Sequence, residues 1–107
     1  MTDIKAANSF AALGHPSRVA ILRLLVQAGD DGLSVSQMRA HLDMPATTFG
    51  HHLKAMAEAG LVTQARHGRS LISKADYSAL QSLIGFLMED CCRGVLTPLT
   101  SAQLETT

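Results

Sequence analysis

The chain has 107 residues, enough for one small domain, and its nine basic residues balance nine acidic ones. Hydrophobic residues make up 47% of the chain but aromatic residues only 4%, so the core must be built from aliphatic side chains. A small aliphatic helical domain often completes its core by dimerising. No run approaches the roughly 18 apolar residues of a membrane span, and no secretion signal opens the chain. These features predict a cytoplasmic protein with no membrane partner.

Charge is distributed unevenly along the chain, although the total is zero. Residues 1–35 carry three basic and three acidic groups, whereas residues 36–75 carry five basic and two acidic groups, a net charge of +3. Residues 76–107 carry one basic and four acidic groups, a net charge of −3. Because four of the five histidines also lie within residues 36–75, this middle segment is the candidate for binding an anionic partner.

Two helices are predicted in the first third of the chain, because apolar residues recur there at helical spacing. The first covers residues 4–13, and the second covers residues 17–28 with Pro16 in its first turn. The second is apolar over most of its circumference, which predicts the central buried helix. After a Gly/Asp turn, a short helix is predicted over residues 36–42, preceding a tight turn at residues 43–45.

The stretch 45–62 predicts a helix with two different faces. Apolar residues on one face pack against the core, and the opposite face is polar. The polar face consists of Thr47, His51, Lys54 and Glu58. Pro45 suits the helix start, Thr47 or Thr48 can supply a hydroxyl cap, and Gly60 is a good stop. Hydroxyl and imidazole groups hydrogen bond to phosphates and base edges, and lysine neutralises a phosphate.

A short helix, a tight turn and this second helix form the outline of a helix-turn-helix. We therefore interpret residues 45–62 as its recognition helix, with Thr47, Thr48, His51 and Lys54 as DNA contacts. His52 lies toward the packed side, which predicts a hydrogen-bonded structural histidine.

Two strands are predicted over residues 61–65 and 70–73, on either side of a glycine turn. The turn has the sequence Arg66-His67-Gly68-Arg69, so positive charge flanks the glycine. This pattern is typical of a wing, and we expect Arg66 and Arg69 at its tip to reach the neighbouring minor groove or the DNA backbone.

A last helix is predicted from Tyr77 to about residue 92, with Asp76 as its N-cap. One apolar stripe of this helix is formed by Tyr77, Leu80, Ile84, Leu87 and Cys91. Because the stripe follows a complete winged unit, it needs another surface, and we expect the first helix and a second copy of the chain to supply it. The predicted fold is mainly α with a small β-hairpin wing, a homodimer through the first and last helices. Residues 1–95 form this domain, and residues 96–107 are predicted to be a flexible tail.

The chain resembles the ArsR/SmtB family of winged-helix repressors over residues 8–95. The matching segments are FAALGHPSRVAILRLL, TTFGHHLKAMAEAGLV, RHGRSLI and LIGFLMEDCC. The resemblance implies a homodimeric bacterial repressor that a ligand releases from double-stranded operator DNA. It adds Gly50 to the DNA-contacting segment, at a position where the family commonly has Ser. Cys91-Cys92 looks like the vicinal pair of the arsenic-responsive branch, which implies trivalent arsenic or antimony as inducer and no organic cofactor.

The cysteine pair has more than one interpretation. Consecutive residues of a regular helix point about 100° apart, so the two thiolates share an ion only where the backbone opens, as Gly94 indicates. Soft thiolates select thiophilic metals or metalloids. The residues alone leave two alternatives open: oxidation or persulfide sensing, and a structural pair without a sensing role.

Two other protein classes fit the sequence less well. A thiol enzyme would need a CxxC motif, an acid/base constellation or a cofactor loop, and the sequence has none of them, so we predict that the protein is not an enzyme. A winged helix used only for protein interaction would not need the basic recognition helix and wing.

Overall fold

The computed structural model describes residues 1–95. The elements follow one another as α1 (Asp3–Leu13), α2 (Pro16–Ala28), a 3-10 turn (Gly29–Asp31), β1 (Leu33–Ser34), α3 (Val35–His41), α4 (Ala46–Glu58), β2 (Val62–His67), β3 (Ser70–Ala75) and α5 (Tyr77–Met88). The predicted mainly helical fold with a small hairpin is confirmed. Within the described part of the chain, no helix is long and apolar enough to cross a membrane. The predicted tail, residues 96–107, lies outside the described residues.

The three strands form an antiparallel sheet in the order β1-β3-β2. The two-residue strand β1 was not predicted, because the sequence indicated only a turn between the second helix and the short helix at residues 36–42. It pairs with β3 through Leu33 opposite Ser73. Gly32 makes this pairing possible: its φ is +66°, and an added Cβ would lie 2.5 Å from the Ser73 carbonyl oxygen. The start of α3 is therefore fixed to the hairpin.

Side-chain caps fix the starts of α3 and α5. Ser34 and Gln37 form a reciprocal capping box, with the Gln37 N–H donating to Ser34 Oγ at 3.2 Å. Asp76 accepts the Ala79 N–H at 3.0 Å, as its predicted N-cap role requires.

The start of α4 differs from the prediction. Pro45 is its N-cap and offers no side-chain acceptor, so the predicted threonine cap is wrong. Thr47 and Thr48 fall inside the first turn, because the proline, with φ −59° and ψ 147°, already starts the helix one residue before Ala46. The predicted stop is correct, since Gly60 adopts a φ of +79° just after the helix.

The hydrophobic core lies where α2, α3, α4 and the hairpin meet. Ile21 and Leu25 of α2, Met38 of α3, and Phe49 and Met56 of α4 are all at most 1% exposed. Burying one such side chain contributes about 1.5–3 kcal/mol relative to leaving it in water. The inner face of α2 is therefore the centre of the domain, as predicted.

Large apolar side chains remain exposed on the other side of the domain. On α5, Leu83 is buried, whereas Ile84 and Leu87 of the apolar stripe are 62% and 59% exposed. The remaining exposed members on α1, α2 and α5 are Ile4, Phe10, Val19, Val26 and Met88. Because α1 and α5 lie against each other, the exposed apolar residues of these two helices contribute to a shared apolar surface.

The last helix is shorter than predicted. It ends at Met88 instead of continuing to Cys92, and Asp90 and Cys92 both adopt positive φ angles, 57° and 66°. Left-handed residues cannot continue a right-handed helix, so the chain turns before the cysteines. Cys91 therefore does not extend the apolar stripe of α5.

Candidate DNA-binding surface and cysteine pair

The predicted recognition helix, α4, carries its polar residues on the side away from the core. Phe49, Leu53 and Met56 are buried, and the 3.6-residue repeat sets Thr47, His51 and Lys54 on the opposite face. All five predicted contacts on this helix are exposed: Thr47, Thr48, Gly50, His51 and Lys54. The structure thus makes them available to a ligand, while their contact with DNA stays a prediction.

His52 connects α4 to the first two helices. Its Nδ1 accepts a hydrogen bond from Arg18 Nε at 2.9 Å, and the same guanidinium donates through Nη1 to the Ala12 carbonyl at 3.1 Å. The ring is 6% exposed and lies 4.5 Å from the His15 ring. Burial lowers the pKa of His52, and the nearby His15, Arg18 and His51 lower it further. The neutral ring therefore anchors α4 to Arg18, as expected for a structural histidine.

The hairpin β2–β3 forms the predicted wing, with a tighter tip than the sequence indicated. His67 pairs with Ser70, leaving Gly68 and Arg69 as the turn, and Gly68 has a φ of +64°. Arg66 lies in β2 opposite Leu71 instead of in the turn. Both arginines are exposed, so the hairpin presents their charge from the strand and the tip together.

The two wing arginines line a notch of about 270 Å³ beside the start of α3. The notch is otherwise lined by Ser34, Val35, Ser36, Ser70 and Leu71. Its side chains thus combine two guanidinium groups with three hydroxyls. The pairing of β1 with β3 brings these parts of the chain together, which no local pattern in the sequence predicted.

A larger groove of about 580 Å³ separates α4 from the wing and α3. The α4 side is formed mostly by small or apolar residues, Ala46, Phe49, Gly50, Leu53 and Ala57, with Lys54 and Glu58 at its edge. Arg39 and Val35 of α3 and Gln64 and Leu71 of the wing complete the lining. Sequence reasoning counted Arg39 only as part of the basic segment and gave it no site.

Most of the basic side chains near α4 and the wing form no ion pair among the described residues. Among the described residues the ion pairs are Lys54–Glu58 at 4.0 Å and Arg93–Asp90 at 2.6 Å. Arg39, Arg66 and Arg69 therefore have no carboxylate partner within residues 1–95. An unpaired, solvated guanidinium can form bidentate hydrogen bonds with a phosphate.

The two cysteines lie in the turn that follows α5, and both are exposed. Their sulfur atoms are 3.1 Å apart, close enough for one thiol to donate a hydrogen bond to the other. This hydrogen bond, with a smaller effect of burial, raises the pKa of Cys91 above the ordinary thiol value. Arg93 Nη1 donates a hydrogen bond to Asp90 Oδ1. The positive charge of Arg93 is therefore paired with a carboxylate and not with the neighbouring thiols.

Comparisons with known proteins agree with this geometry. Residues 13–65, which include α2, α3 and α4, match a family described as a helix-turn-helix domain. An uncharacterized HTH-type transcriptional regulator of Methanocaldococcus jannaschii is 38% identical over 64 residues, which cover 60% of this chain and 70% of the relative. The structure of an ArsR-like transcriptional regulator from Rhodococcus sp. RHA1 is similar with a TM-score of 0.70 and 28% identity, over 78% of this chain and 76% of that one. The chain belongs to the HTH-type transcriptional regulators, and it has the winged helix-turn-helix fold of ArsR-like regulators.

A further similar structure is described as a possible transcriptional regulator for arsenical resistance. It has a TM-score of 0.65 and 26% identity, over 75% of this chain and 80% of that one. Family and fold make this chain a DNA-binding transcriptional regulator and not an enzyme, which confirms both predictions.

The cysteine pair is the candidate for part of a ligand set for a thiophilic ion. Two sulfur atoms 3.1 Å apart, each about 2.3 Å from a shared atom, would form an angle of about 85° at that atom. A small increase in the distance between the sulfur atoms would bring this angle into the range of ordinary coordination angles. Within residues 1–95, no group of three His, Cys, Asp or Glu side chains is placed to hold a metal ion. One chain therefore offers two soft ligands here, and further ligands must come from elsewhere.

Proposed function

We propose that this regulator is a cytoplasmic, homodimeric repressor of the ArsR family that leaves its operator when Cys91 and Cys92 bind a thiophilic inducer, trivalent arsenic or antimony. The observation that carries the proposal is the 3.1 Å separation of two exposed sulfurs beyond the end of α5. The similar structure described as a possible regulator for arsenical resistance supports the same class of inducer. Residues 1–95 act as one domain in this proposal.

A dimer presents two copies of α4 to successive major grooves, about 34 Å apart along the DNA. Thr47, Thr48 and His51 donate or accept hydrogen bonds at base edges and phosphates, and Lys54 neutralises a phosphate. Gly50 leaves the middle of the recognition helix without a side chain. Arg66 and Arg69 hold the wing to the neighbouring minor groove or backbone. The pseudo-palindromic operator expected for a twofold dimer follows from this arrangement.

The exposed apolar side of α1 and α5 is the dimer surface in this proposal. Ile4 is 69% exposed and Ile84 is 62% exposed, values that are unfavourable for a monomer in water. A second copy of the same surface buries both helices, as an isologous twofold interface requires. The dimer interface then lies next to the cysteines, because α5 ends at Met88, three residues before Cys91.

Inducer binding exchanges oxygen ligands for sulfur ligands. Arsenous acid, As(OH)₃, reacts with the two thiols to form two As–S bonds and releases two water molecules. The third position is filled by the remaining hydroxyl, a small-molecule thiol or a group of the partner protomer. Each thiol proton leaves with a displaced hydroxyl as water, so the affinity does not depend on pH below the thiol pKa, whereas the binding rate rises with pH because the thiolate is the nucleophile.

Coupling between the two sites requires only a modest free energy. A ligand held by both Cys91 and Cys92 fixes the conformation of the turn after α5 and hence changes the setting of the two protomers. A coupling of roughly 1–3 kcal/mol weakens operator binding about 5–150-fold. Such a loss of affinity follows when the spacing of the two recognition helices in the dimer no longer matches the helical repeat of the DNA.

Operator release by arsenite tests the proposal directly. Cys91→Ser, Cys92→Ser and the double variant should bind operator DNA as tightly as the parent, because the pair closes only a tiny loop and lies outside the recognition helix. Arsenite or antimonite, added in the presence of reductant, should release the parent and leave the three variants bound. Variants that still dissociate on adding arsenite would remove the cysteines from the inducer site.

A redox or persulfide sensor is the alternative, since the same 3.1 Å separation suits oxidation. Peroxide would join the two sulfurs and lose its oxygens as two water molecules. Release that needs peroxide or polysulfide, that reductant reverses and that arsenite does not produce would favour this function over metalloid sensing.

A further inference from the structure

A half-buried arginine connects three helices on the side of α4 that faces the core. Arg18, in the first turn of α2, donates through Nη1 to the Ala12 carbonyl of α1 at 3.1 Å and through Nε to His52 Nδ1 of α4 at 2.9 Å. The Ala12 carbonyl lies in the last turn of α1, where helix carbonyls have no N–H partner in their own helix. Arg18 therefore completes the end of one helix and holds the middle of another.

The link between Arg18 and His52 exists only while the imidazole is neutral. Among the described residues Arg18 forms no ion pair, so its charge is met by a carbonyl oxygen and a ring nitrogen. A ring nitrogen accepts a hydrogen bond only when it carries no proton. Protonation of His52 at Nδ1 would direct one N–H group at another and would place two cations at hydrogen-bonding distance.

The surroundings of His52 do not stabilise a proton on the ring. The titratable and charged groups that act on it are Arg18 of α2, His15 at the junction of α1 and α2, and His51 of α4 itself, and all three are basic. The helix α1 contributes the neutral Ala12 carbonyl, which Arg18 occupies. No carboxylate within residues 1–95 forms a salt bridge with the ring. A proton taken up by His52 is therefore balanced only by breaking the link.

This link fixes the part of α4 that carries the predicted DNA contacts. His51 follows the same backbone as His52 but points about 100° away from it, toward solvent. A shift of the helix at His52 therefore moves His51 and Lys54 on the outer face. Since α1 is one of the two helices of the proposed dimer surface, Arg18 connects that surface to the recognition helix through two hydrogen bonds.

We propose that Arg18 and His52 are positioning residues that form a proton-sensitive link between α1 and the recognition helix, so that acid weakens operator binding independently of the cysteines. The proposal rests on the DNA-binding role proposed above and adds the proton as a second effector. Neither residue contacts DNA. Sequence-specific binding needs both recognition helices of the dimer correctly oriented, whereas non-specific binding depends mainly on phosphate charge. The loss on acidification should therefore fall on specific binding.

The pH dependence of DNA binding tests the link. The operator probe is the duplex that the parent selects from a random-sequence pool at pH 7.5, and a mixed-sequence duplex measures non-specific binding. Dissociation constants are measured from pH 7.5 to 5.0 at constant ionic strength, with reductant and without metalloid. In His52→Asn, the side-chain oxygen can accept from Arg18 but does not titrate. Relative to its value at pH 7.5, the dissociation constant of the parent should rise about twofold or more above that of His52→Asn by pH 5.0.

Three controls separate this effect from other titrations and from unfolding. The remaining histidines are present in both proteins, so their attraction to phosphate cancels in the ratio. His41→Asn, which replaces an exposed histidine of α3, should follow the pH profile of the parent. In an Arg18→Gln background, adding His52→Asn should no longer change the profile, because the guanidinium that a proton would displace is absent. Far-UV circular dichroism of each protein at each pH records whether it stays folded.

The two proposals fail in different ways. If no duplex is selected and the parent shows no salt-dependent DNA binding at any pH, the DNA-binding role itself is wrong. If the parent binds a selected duplex with the same pH profile as His52→Asn, the link does not position the recognition helix, while the DNA-binding role stands. A ratio that rises only where the circular dichroism of the parent is lost, or that rises equally for specific and mixed-sequence DNA, would also overturn the proposal.

Discussion

The hydrogen bond between Arg18 and His52 leads to a prediction about pH. The ring of His52 accepts from Arg18 Nε, so this ring nitrogen must be unprotonated in the folded state. Protonation would remove the acceptor and place a second cation next to the guanidinium. Because the pKa of His52 is lowered in the fold, the unfolded chain binds more protons below the ordinary histidine pKa of about 6.5. Stability is therefore full above pH 6.5 and is lost as the pH falls toward the lowered value.

The size of the effect follows from one proton. A single group changes the free energy of unfolding by at most about 1.4 kcal/mol per pH unit. The loss of stability between pH 6.5 and 5.5 that comes from His52 should therefore stay below that limit. His52→Leu, which removes the acceptor and leaves Arg18 unpaired, should cost about 1–2 kcal/mol at pH 7.5.

Two variants separate the hydrogen bond from the titration. In His52→Asn, the side-chain oxygen can take the place of Nδ1 as acceptor but does not titrate. Urea unfolding of parent, His52→Asn and His52→Leu, at one protein concentration and several pH values, measures both effects. The parent should lose more stability than His52→Asn as the pH falls from 7.5 to 5.5. Equal losses in the two proteins would refute the reasoning, as would a His52→Leu variant with the stability of the parent at pH 7.5.

Three further predictions concern the surface. Glu58→Gln should raise DNA affinity several-fold in a binding titration, because it frees Lys54, while stability changes by less than about 0.5 kcal/mol, since the pair is exposed; unchanged affinity would contradict this. Ile84→Glu should convert the dimer to monomer in sedimentation, because a charge buried in an apolar interface is costly, and a parent that is itself monomeric would rule out the interface. Alkylation of Cys91 should be slow at neutral pH and should be faster in Cys92→Ala, which has no side-chain hydrogen-bonding group; mass spectrometry measures both rates, and equal rates would show that the hydrogen bond has no effect.

The sequence predicted the parts of the fold that depend on local periodicity. The alternation of Phe49, Leu53 and Met56 with polar residues gave the correct inner and outer faces of α4, and Asp76 gave the correct start of α5. Gly60 marked the end of α4 because a positive φ after a helix favours glycine. Each of these signals lies within a few residues of the structure that it determines.

Other features depend on contacts between distant segments and left no local signal. The strand at Leu33 forms only because β3, 40 residues later, supplies its partner. The hydrogen bond from Arg18 to His52 spans 34 residues, and the groove that Arg39 lines needs α3, α4 and the wing at once. The early end of α5 was missed for a different reason: Asp90 and Cys92 are not glycines, so nothing in their identity indicates a left-handed backbone.

The proline start of α4 has a consequence for the dynamics of the recognition helix. The first backbone hydrogen bond of this helix runs from the Phe49 N–H to the Pro45 carbonyl oxygen. No side chain caps the N–H groups that precede Phe49 in the helix. The first turn of α4 therefore opens at low cost, unlike the capped starts of α3 and α5, and its amide hydrogens exchange fastest in the helix. Any ligand that accepts from Thr47 or Thr48 slows this exchange, so binding orders the leading turn and part of the association free energy is spent on that ordering.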